Sequence, residues 1–371
     1  MADTMKAWVY DKKKEDKTGV YIFLHETPIP RPDTHDVLLK VIGISVCGTD
    51  ETLFVGKHGD VPSGIIPGHE FFGEVVEVGK GVQDIRTGQL VVGESHYTLH
   101  GYKGEGIIGF RGPKDKNGHY IPPINGAYAE YLCIPDFCVR KIPLKVIQDG
   151  FWPSLFEGVG NDYKIGTFLQ ENHLLGTVGV VGCGPHGLYA QIFAKHFGVE
   201  RLVAFEVNHY RRGFARGLDV ADYVINPTHP HCDEQIKEIT NGRLFDVMID
   251  IAGQRQNVLD FCMRYTHNEG TVILFGLYDD SSIKLGGYMP NDIIFNNRAL
   301  KVSFDDKNLL FQGITGREGI WDRMIQEVTN NRMLQRQIMA LVSVMGPLDR
   351  LGEDTRNPDP EVLKRAYHKF Q

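Results

Sequence analysis

The stretch VGVVGCGPHGLYAQIFAKHFG, Val178 to Gly198, runs from an apolar segment through three spaced glycines into a helical pattern. Gly182, Gly184 and Gly187 have the spacing G-x-G-x-x-G, and their position between a strand and a helix gives that spacing its meaning. The first glycine allows a tight turn, the second lets the backbone approach a diphosphate, and the third lets helix and strand pack closely. Pro185 and His186 complete the turn, where the helix N-terminus offers N–H groups to an anion. The stretch predicts a dinucleotide site.

Working outward from it, apolar runs alternate with helical stretches from about Asn172 onward: RLVAFEV, YRRGFARGL, ADYVINP, DEQIKEITNG, FDVMIDIAG, QNVLDFCMRYT and GTVILFGLY. Such alternation predicts an α/β domain built as a doubly wound parallel sheet, the Rossmann arrangement. RLVAFEV carries Glu206 next to its end, where a carboxylate accepts hydrogen bonds from the adenosine ribose and repels a 2′-phosphate, which favours NAD over NADP. Arg211 and Arg212 temper that preference if they face the cofactor, and are ordinary exposed helix residues if they do not. Gly276, closing GTVILFG, is a further candidate for the cofactor site.

On the N-terminal side the texture is different. VLLKVIGISV, EFFGEVVEVG, GQLVVGE, AYAEYLCIP and FCVRKIP, from Val37 to about Lys145, are short β-rich runs separated by Gly and Pro, and predict a β-rich domain. The division expected is residues 1–160 with 300–371 as one domain and 161–299 as the dinucleotide-binding domain. The segment following Leu277 has no clear pattern. The tail EDTRNPDPEVLKRAYHKFQ reads as a loop and a solvated helix, without a final strand at AYHKF.

Composition narrows the partners. The chain has 371 residues, more than one core usually supports, and a net charge of −7, which disfavours nucleic acid and anionic membranes. No apolar run approaches the roughly 18 residues of a membrane span, and the N-terminus lacks the apolar stretch of an export signal. The six cysteines lack C-x-x-C spacing, which suits reduced thiols and a cytoplasmic location.

Among them, Cys47 in SVCGTDE is followed about twenty residues later by His69 and Glu70 in PGHEFFGE. Thiolate, imidazole and carboxylate are the donors zinc takes, and catalytic sites keep one position open. Against this, a lone cysteine is often a small buried hydrophobe, and a His-Glu pair is often a solvated strand end. Neighbours on a strand point to opposite faces, so both residues reach one ion only across a turn. A hydride-carrier motif in the same chain adds weight to zinc, because oxidising an alcohol calls for a Lewis acid.

Taken together, VCGTD (46–50), GHEFFGEVVEVG (68–79), GESH (93–96), AYAEYLCIP (127–135), FEGVGN (156–161), VGCGPHG (181–187), EVNHYRR (206–212) and GITGRE (313–318) make the chain resemble the zinc-dependent medium-chain dehydrogenases, most of all their threonine dehydrogenase branch. The resemblance covers nearly the whole chain. It implies a GroES-like β-rich catalytic domain beside the Rossmann domain, and a homodimer or homotetramer. It makes Cys47, His69 and Glu157 zinc ligands, with Glu70 a carboxylate that exchanges at the metal. Thr49 would hydrogen-bond the substrate hydroxyl and begin a proton relay, and His96 would line the substrate site.

Two departures stand out. Where the family commonly has a relay histidine, five residues after Cys47, this chain has Thr52; either Thr52 works through a water or another histidine such as His58 reaches in. The lobe that holds a structural zinc in relatives has Leu99, Tyr102, Glu105 and Pro113 where cysteines are expected, so one catalytic zinc and no structural zinc are expected. The stretch between DIIF and GITGRE also reads as longer than usual. The resulting expectation is NAD-dependent oxidation of a secondary alcohol on a small polar substrate, L-threonine or a related amino alcohol. The rivals are a polyol or aldose dehydrogenase, a zinc-free enone or quinone reductase, and a non-catalytic NAD sensor.

Overall fold

The apolar run Thr177–Val181 becomes the central strand of a seven-stranded sheet. Arg201–Phe205 and then Tyr223–Ile225 lie to one side of it. Phe245–Asp250, Thr266–Leu274 and Lys307–Gly313 lie to the other, all parallel, and Ala299–Phe304 closes that edge antiparallel. The central strand meets neighbours that precede and follow it in winding direction, so its C-terminal end is the switch point where such sheets bind ligands. In this computed structural model, residues 3–14, 17–58, 61–278, 280–314 and 319–371 are described. The chain divides into two units, Met1–Gly158 with Ile325–Gln371, and Val159–Met324.

The second boundary lies later than the expected residue 300, for a hydrogen-bonding reason. Ala299–Phe304 and Lys307–Gly313 form a hairpin, and Lys307–Gly313 pairs in parallel with Thr266–Leu274. The stretch before GITGRE is therefore the edge of the doubly wound sheet. Thr315 to Glu318 of GITGRE lie outside the described residues.

The other unit is β-rich as expected. Asp36–Ser45 is its central strand, paired antiparallel with Glu70–Val78, Tyr131–Pro135 and Lys364–His368. Leu90–Gly93 and Val139–Lys141 extend the sheet beyond Glu70–Val78, and Val342–Pro347 extends it beyond Lys364–His368. Val37, Leu39, Val41, Ile44, Phe71, Val75 and Val91 from these strands join one buried core. The tail overturns the expected solvated helix. Leu351–Arg356 is helical, and Lys364–His368 is a buried strand. Its charges misled the pattern because Lys364 and Arg365 are buried in ion pairs, with Glu70 and Glu51, instead of facing water.

Candidate active site

Cys47 ends the loop that follows the central strand and caps the short helix Gly48–Phe54. The carboxylate of Asp50, in that helix, accepts the Cys47 backbone N–H at 3.1 Å, which fixes the turn carrying the thiol. His69 and Glu70 come from the start of Glu70–Val78. The alternation rule is not violated, because His69 stands just before the strand and Gly68 has φ +98°, a turn that redirects the imidazole. A side chain at Gly68 would also strike the Tyr128 ring. The ligand atoms of Cys47, His69 and Glu70 consequently lie within 4.8 Å of one another.

Each donor is supported by groups behind it. His69 Nδ1 lies 3.4 Å from Asp50 Oδ1, and the buried Tyr128 hydroxyl donates to Asp50 Oδ2 at 2.8 Å. Burial pulls the His69 pKa down, but Asp50 and the Cys47 thiol outweigh it and hold it well above its usual value. Glu70 Oε1 accepts a 2.6 Å bond from Lys364 Nζ, and both side chains are almost fully buried. Its pKa is pushed up to about 7, chiefly by burial; Lys364 opposes the rise, while Cys47 and Glu157 add to it. Glu157, at the start of the helix Leu155–Glu171, is buried beside the trio and accepts a hydrogen bond from the Ser95 hydroxyl. The structure thus gathers Cys47, His69 and Glu70 into one cluster and sets Glu157 next to it.

The donors fit a divalent cation. Glu70 Oε2 is buried without a hydrogen-bond partner, and Asp50 Oδ1 and His69 Nδ1 face each other at 3.4 Å without a well-formed hydrogen bond, so a positive charge at the cluster would complete a carboxylate oxygen that the protein leaves unsatisfied. Soft thiolate beside imidazole and carboxylate is the donor set of zinc. Asp50, Tyr128, Ser95 and Lys364 were not singled out from the sequence as parts of the site. Asp50 lies within VCGTD, so its motif was the available signal; Lys364 comes from the far end of the chain and gave none.

Metal-free protein carries a testable consequence. A carboxyl group whose folded pKa is raised contributes stability that is complete below its unfolded pKa, near 4.3, and is lost as pH rises through the folded value. Glu70 is such a group, with a folded value of about 7. Urea denaturation after chelation is expected to show its contribution falling between about pH 4.5 and 7, and Glu70→Gln is expected to flatten that fall. An unchanged slope in the variant refutes the assignment.

The remaining candidates are placed differently. Thr49 is half-buried on the helix that begins beside Cys47. Thr52 Oγ1 donates to the Thr49 carbonyl at 2.9 Å and lies 2.7 Å from His58 Nε2. His96 pairs with Glu105 at 3.1 Å, inside the lobe, and stands outside the metal cluster. That lobe is held by apolar packing: Tyr97, Ile108 and Phe110 enter the core, Leu99 packs against it, and Lys114 and Arg111 lie over the Tyr120 ring.

In the other unit, Gly182, Gly184, Pro185, His186, Gly187, Glu206 and Arg211 line one cleft of about 610 Å³. Gly182 has φ +106°, and a Cβ at Gly187 would collide with the Gly182 carbonyl, so the glycines answer to geometry. Gly184 caps the helix Pro185–His196 without a side-chain bond, leaving first-turn N–H groups for an anion. Glu206 is fixed by the N–H groups of Cys183 and Asn208, each at 2.7 Å. Arg212 bonds the carbonyls of Glu206 and Val207, whereas Arg211 faces the cleft. Gly276 does not line the cleft; it packs against Gly253, and its N–H bonds the Asp250 carbonyl at 2.8 Å. Thr228 and Arg255 line the cleft and were missed, since neither stands in a recognisable pattern.

A thiolate–imidazole–carboxylate cluster in a β-rich unit and a glycine-turn cleft in a doubly wound unit define a zinc-binding alcohol dehydrogenase. Residues 33–144 match the Alcohol dehydrogenase GroES-like domain, and residues 185–310 match Zinc-binding dehydrogenase. The chain belongs to the zinc-dependent medium-chain dehydrogenase family. It is 32% identical to an L-threonine 3-dehydrogenase of Caldanaerobacter subterraneus, covering 82% of each chain. It is 30% identical to one of Symbiobacterium thermophilum, covering 95% of this chain and 93% of the other. The fold is shared with 2R,3R-butanediol dehydrogenase from Bacillus subtilis, with a TM-score of 0.76 at 22% identity over 98% of this chain and 99% of that one. An alcohol dehydrogenase from Thermus gives 0.77 at 22% identity over 98% and 100%. The protein is an oxidoreductase of small-molecule alcohols that uses zinc and a nicotinamide cofactor. Among the described residues, no helix is long and apolar enough to cross a membrane.

Proposed function

We propose that the protein oxidises the secondary hydroxyl of L-threonine or a related amino alcohol with NAD. The observation that carries the reaction type is the convergence of Cys47, His69 and Glu70, with the buried Glu70 Oε2 left without a hydrogen-bond partner. When bound, zinc supplies Lewis acidity toward the alcohol and the nicotinamide accepts hydride. Cys47 and His69 would hold the ion, Asp50 orients the imidazole, and Lys364 keeps one Glu70 oxygen occupied while the other lies in the cluster. Thr49 accepts the hydroxyl proton. Glu206, held by two backbone N–H groups in the cofactor cleft, supports NAD over NADP; Arg211 beside it is the feature that would favour the phosphorylated cofactor.

The amino-alcohol reading is supported by the threonine dehydrogenase relatives. We propose further that the chain takes one zinc only, that the apolar lobe replaces a structural metal, and that it assembles as a homodimer or homotetramer. Metal analysis of purified protein is expected to give about one zinc per chain; two would overturn the lobe assignment, and none would revive the zinc-free reductase. A panel of hydroxy amino acids, polyols and aldoses, each offered with NAD⁺ and with NADP⁺, tests the substrate. L-threonine with NAD⁺ is expected to give the highest kcat/KM, and a preference for a polyol or aldose would replace that reading.

A further inference from the structure

Oxidising an alcohol releases a proton as well as a hydride, and a buried site must pass that proton out. The groups flanking the metal cluster are poorly suited to this. Asp50 is tied to Tyr128 and the Cys47 N–H, and Glu70 is tied to Lys364. The helix Gly48–Phe54 offers another direction. Thr49 and Thr52 are three residues apart on it, hence neighbours on one helical face, and both are half-buried. Beyond Thr52 stands His58, whose Nε2 lies 2.7 Å from the Thr52 hydroxyl. Its ring packs edge-on to Phe110, with centroids 4.8 Å apart, which orients the imidazole toward Thr52. His58 is half-buried, between the interior and water.

We infer that Thr52 and His58 form the proton exit of the reaction. This rests on the dehydrogenase reading above. The step balances as follows: the substrate C–H leaves as hydride to the nicotinamide, and the hydroxyl proton passes to Thr49. A bridging water carries it to Thr52, whose hydroxyl proton moves to neutral His58 Nε2. The imidazolium then releases a proton to solvent. The hydroxyl can play this part because its contacts, the carbonyls of Gly48 at 3.3 Å and Thr49 at 2.9 Å and His58 Nε2 at 2.7 Å, compete for one hydrogen. It donates to the carbonyls of its own helix in one state and to His58 in the other. Imidazole is the side chain whose ordinary pKa suits both uptake and release near neutral pH. Thr52 thereby acts as a link and His58 as the titrating end.

The test uses zinc-loaded enzyme with L-threonine, or with the best alcohol from the panel, and NAD⁺. His58→Ala is expected to lower kcat about 10- to 100-fold with KM and zinc content unchanged, and added imidazole is expected to restore much of the loss. His58→Gln separates the roles, since it retains a hydrogen-bonding group toward Thr52 but cannot carry the proton. It is expected to be as slow as the alanine variant. Full activity in His58→Gln, a kcat within twofold of wild type in His58→Ala, or a loss that imidazole does not repair would each overturn the proton route. A wild-type enzyme inactive on every alcohol would overturn the dehydrogenase reading itself, and the route with it.

Discussion

Cys47→Ser is expected to reduce zinc from about one ion per chain to a small fraction and to lower turnover at least about a thousandfold. Serine is a hard, protonated donor at neutral pH, whereas the site is built around a thiolate. Losing several kcal/mol of Lewis-acid polarisation, about 4 kcal/mol, corresponds to that rate. The variant is expected to bind NADH as wild type does, because the glycine turn, Glu206 and Arg211 all belong to the unit Val159–Met324. Atomic absorption, steady-state kinetics and NADH fluorescence titration read the three quantities separately. Retained turnover in a zinc-depleted variant would refute the assignment of the cluster.

The second large effect concerns Lys364. Replacing it by methionine leaves Glu70 fully buried with one oxygen stripped of its 2.6 Å partner and the other already unpartnered. Removing one member of such a pair typically costs about 3–5 kcal/mol. Lys364→Met is therefore expected to destabilise metal-free protein by about that amount at pH 8, where Glu70 would otherwise be charged. The loss is expected to shrink at pH 5, where Glu70, with a pKa already near 7 in the native protein, is protonated in the variant. Removing both charges in Glu70→Leu with Lys364→Met is expected to recover most of the stability and none of the activity. If the single variant unfolds at the same urea concentration as wild type at pH 8, the pair contributes nothing and the argument fails.

Both experiments bear on the same design. Cys47, His69 and Glu70 are donors of the kind zinc takes, drawn together in a space where Lys364 offsets one oxygen of Glu70 and leaves the other without a partner. Asp50 faces the His69 imidazole and Lys364 holds one Glu70 oxygen, while Glu70 Oε2 remains without a hydrogen-bond partner. A cation is what makes that arrangement affordable, so metal content, pH response and catalysis are expected to change together when any one donor is altered.

How far the chain could be read in advance depended on the range of the interactions involved. The glycine turn, the strand-helix alternation and the β-rich texture were legible because they are local rules of backbone geometry and side-chain periodicity, satisfied within a few residues. Cys47, His69 and Glu70 could be named for the same reason, each standing beside a turn in a short motif. The tail could not, because a strand is recognised by polar residues facing water, and here Lys364 and Arg365 are buried against carboxylates. The boundary near residue 300 was misplaced because a hairpin's allegiance to one sheet is decided by which strand it hydrogen-bonds, here Thr266–Leu274.

What the sequence by itself determined was the class of each unit, the glycine turn and the residue types that cluster at Cys47, His69 and Glu70. Only the tertiary structure decided which groups stand behind those donors. Lys364 reaches Glu70 across 294 residues of chain, and Tyr128 supports Asp50 across 78. Pairings of this kind are set by where strands from distant segments meet, and no periodicity along the chain encodes them.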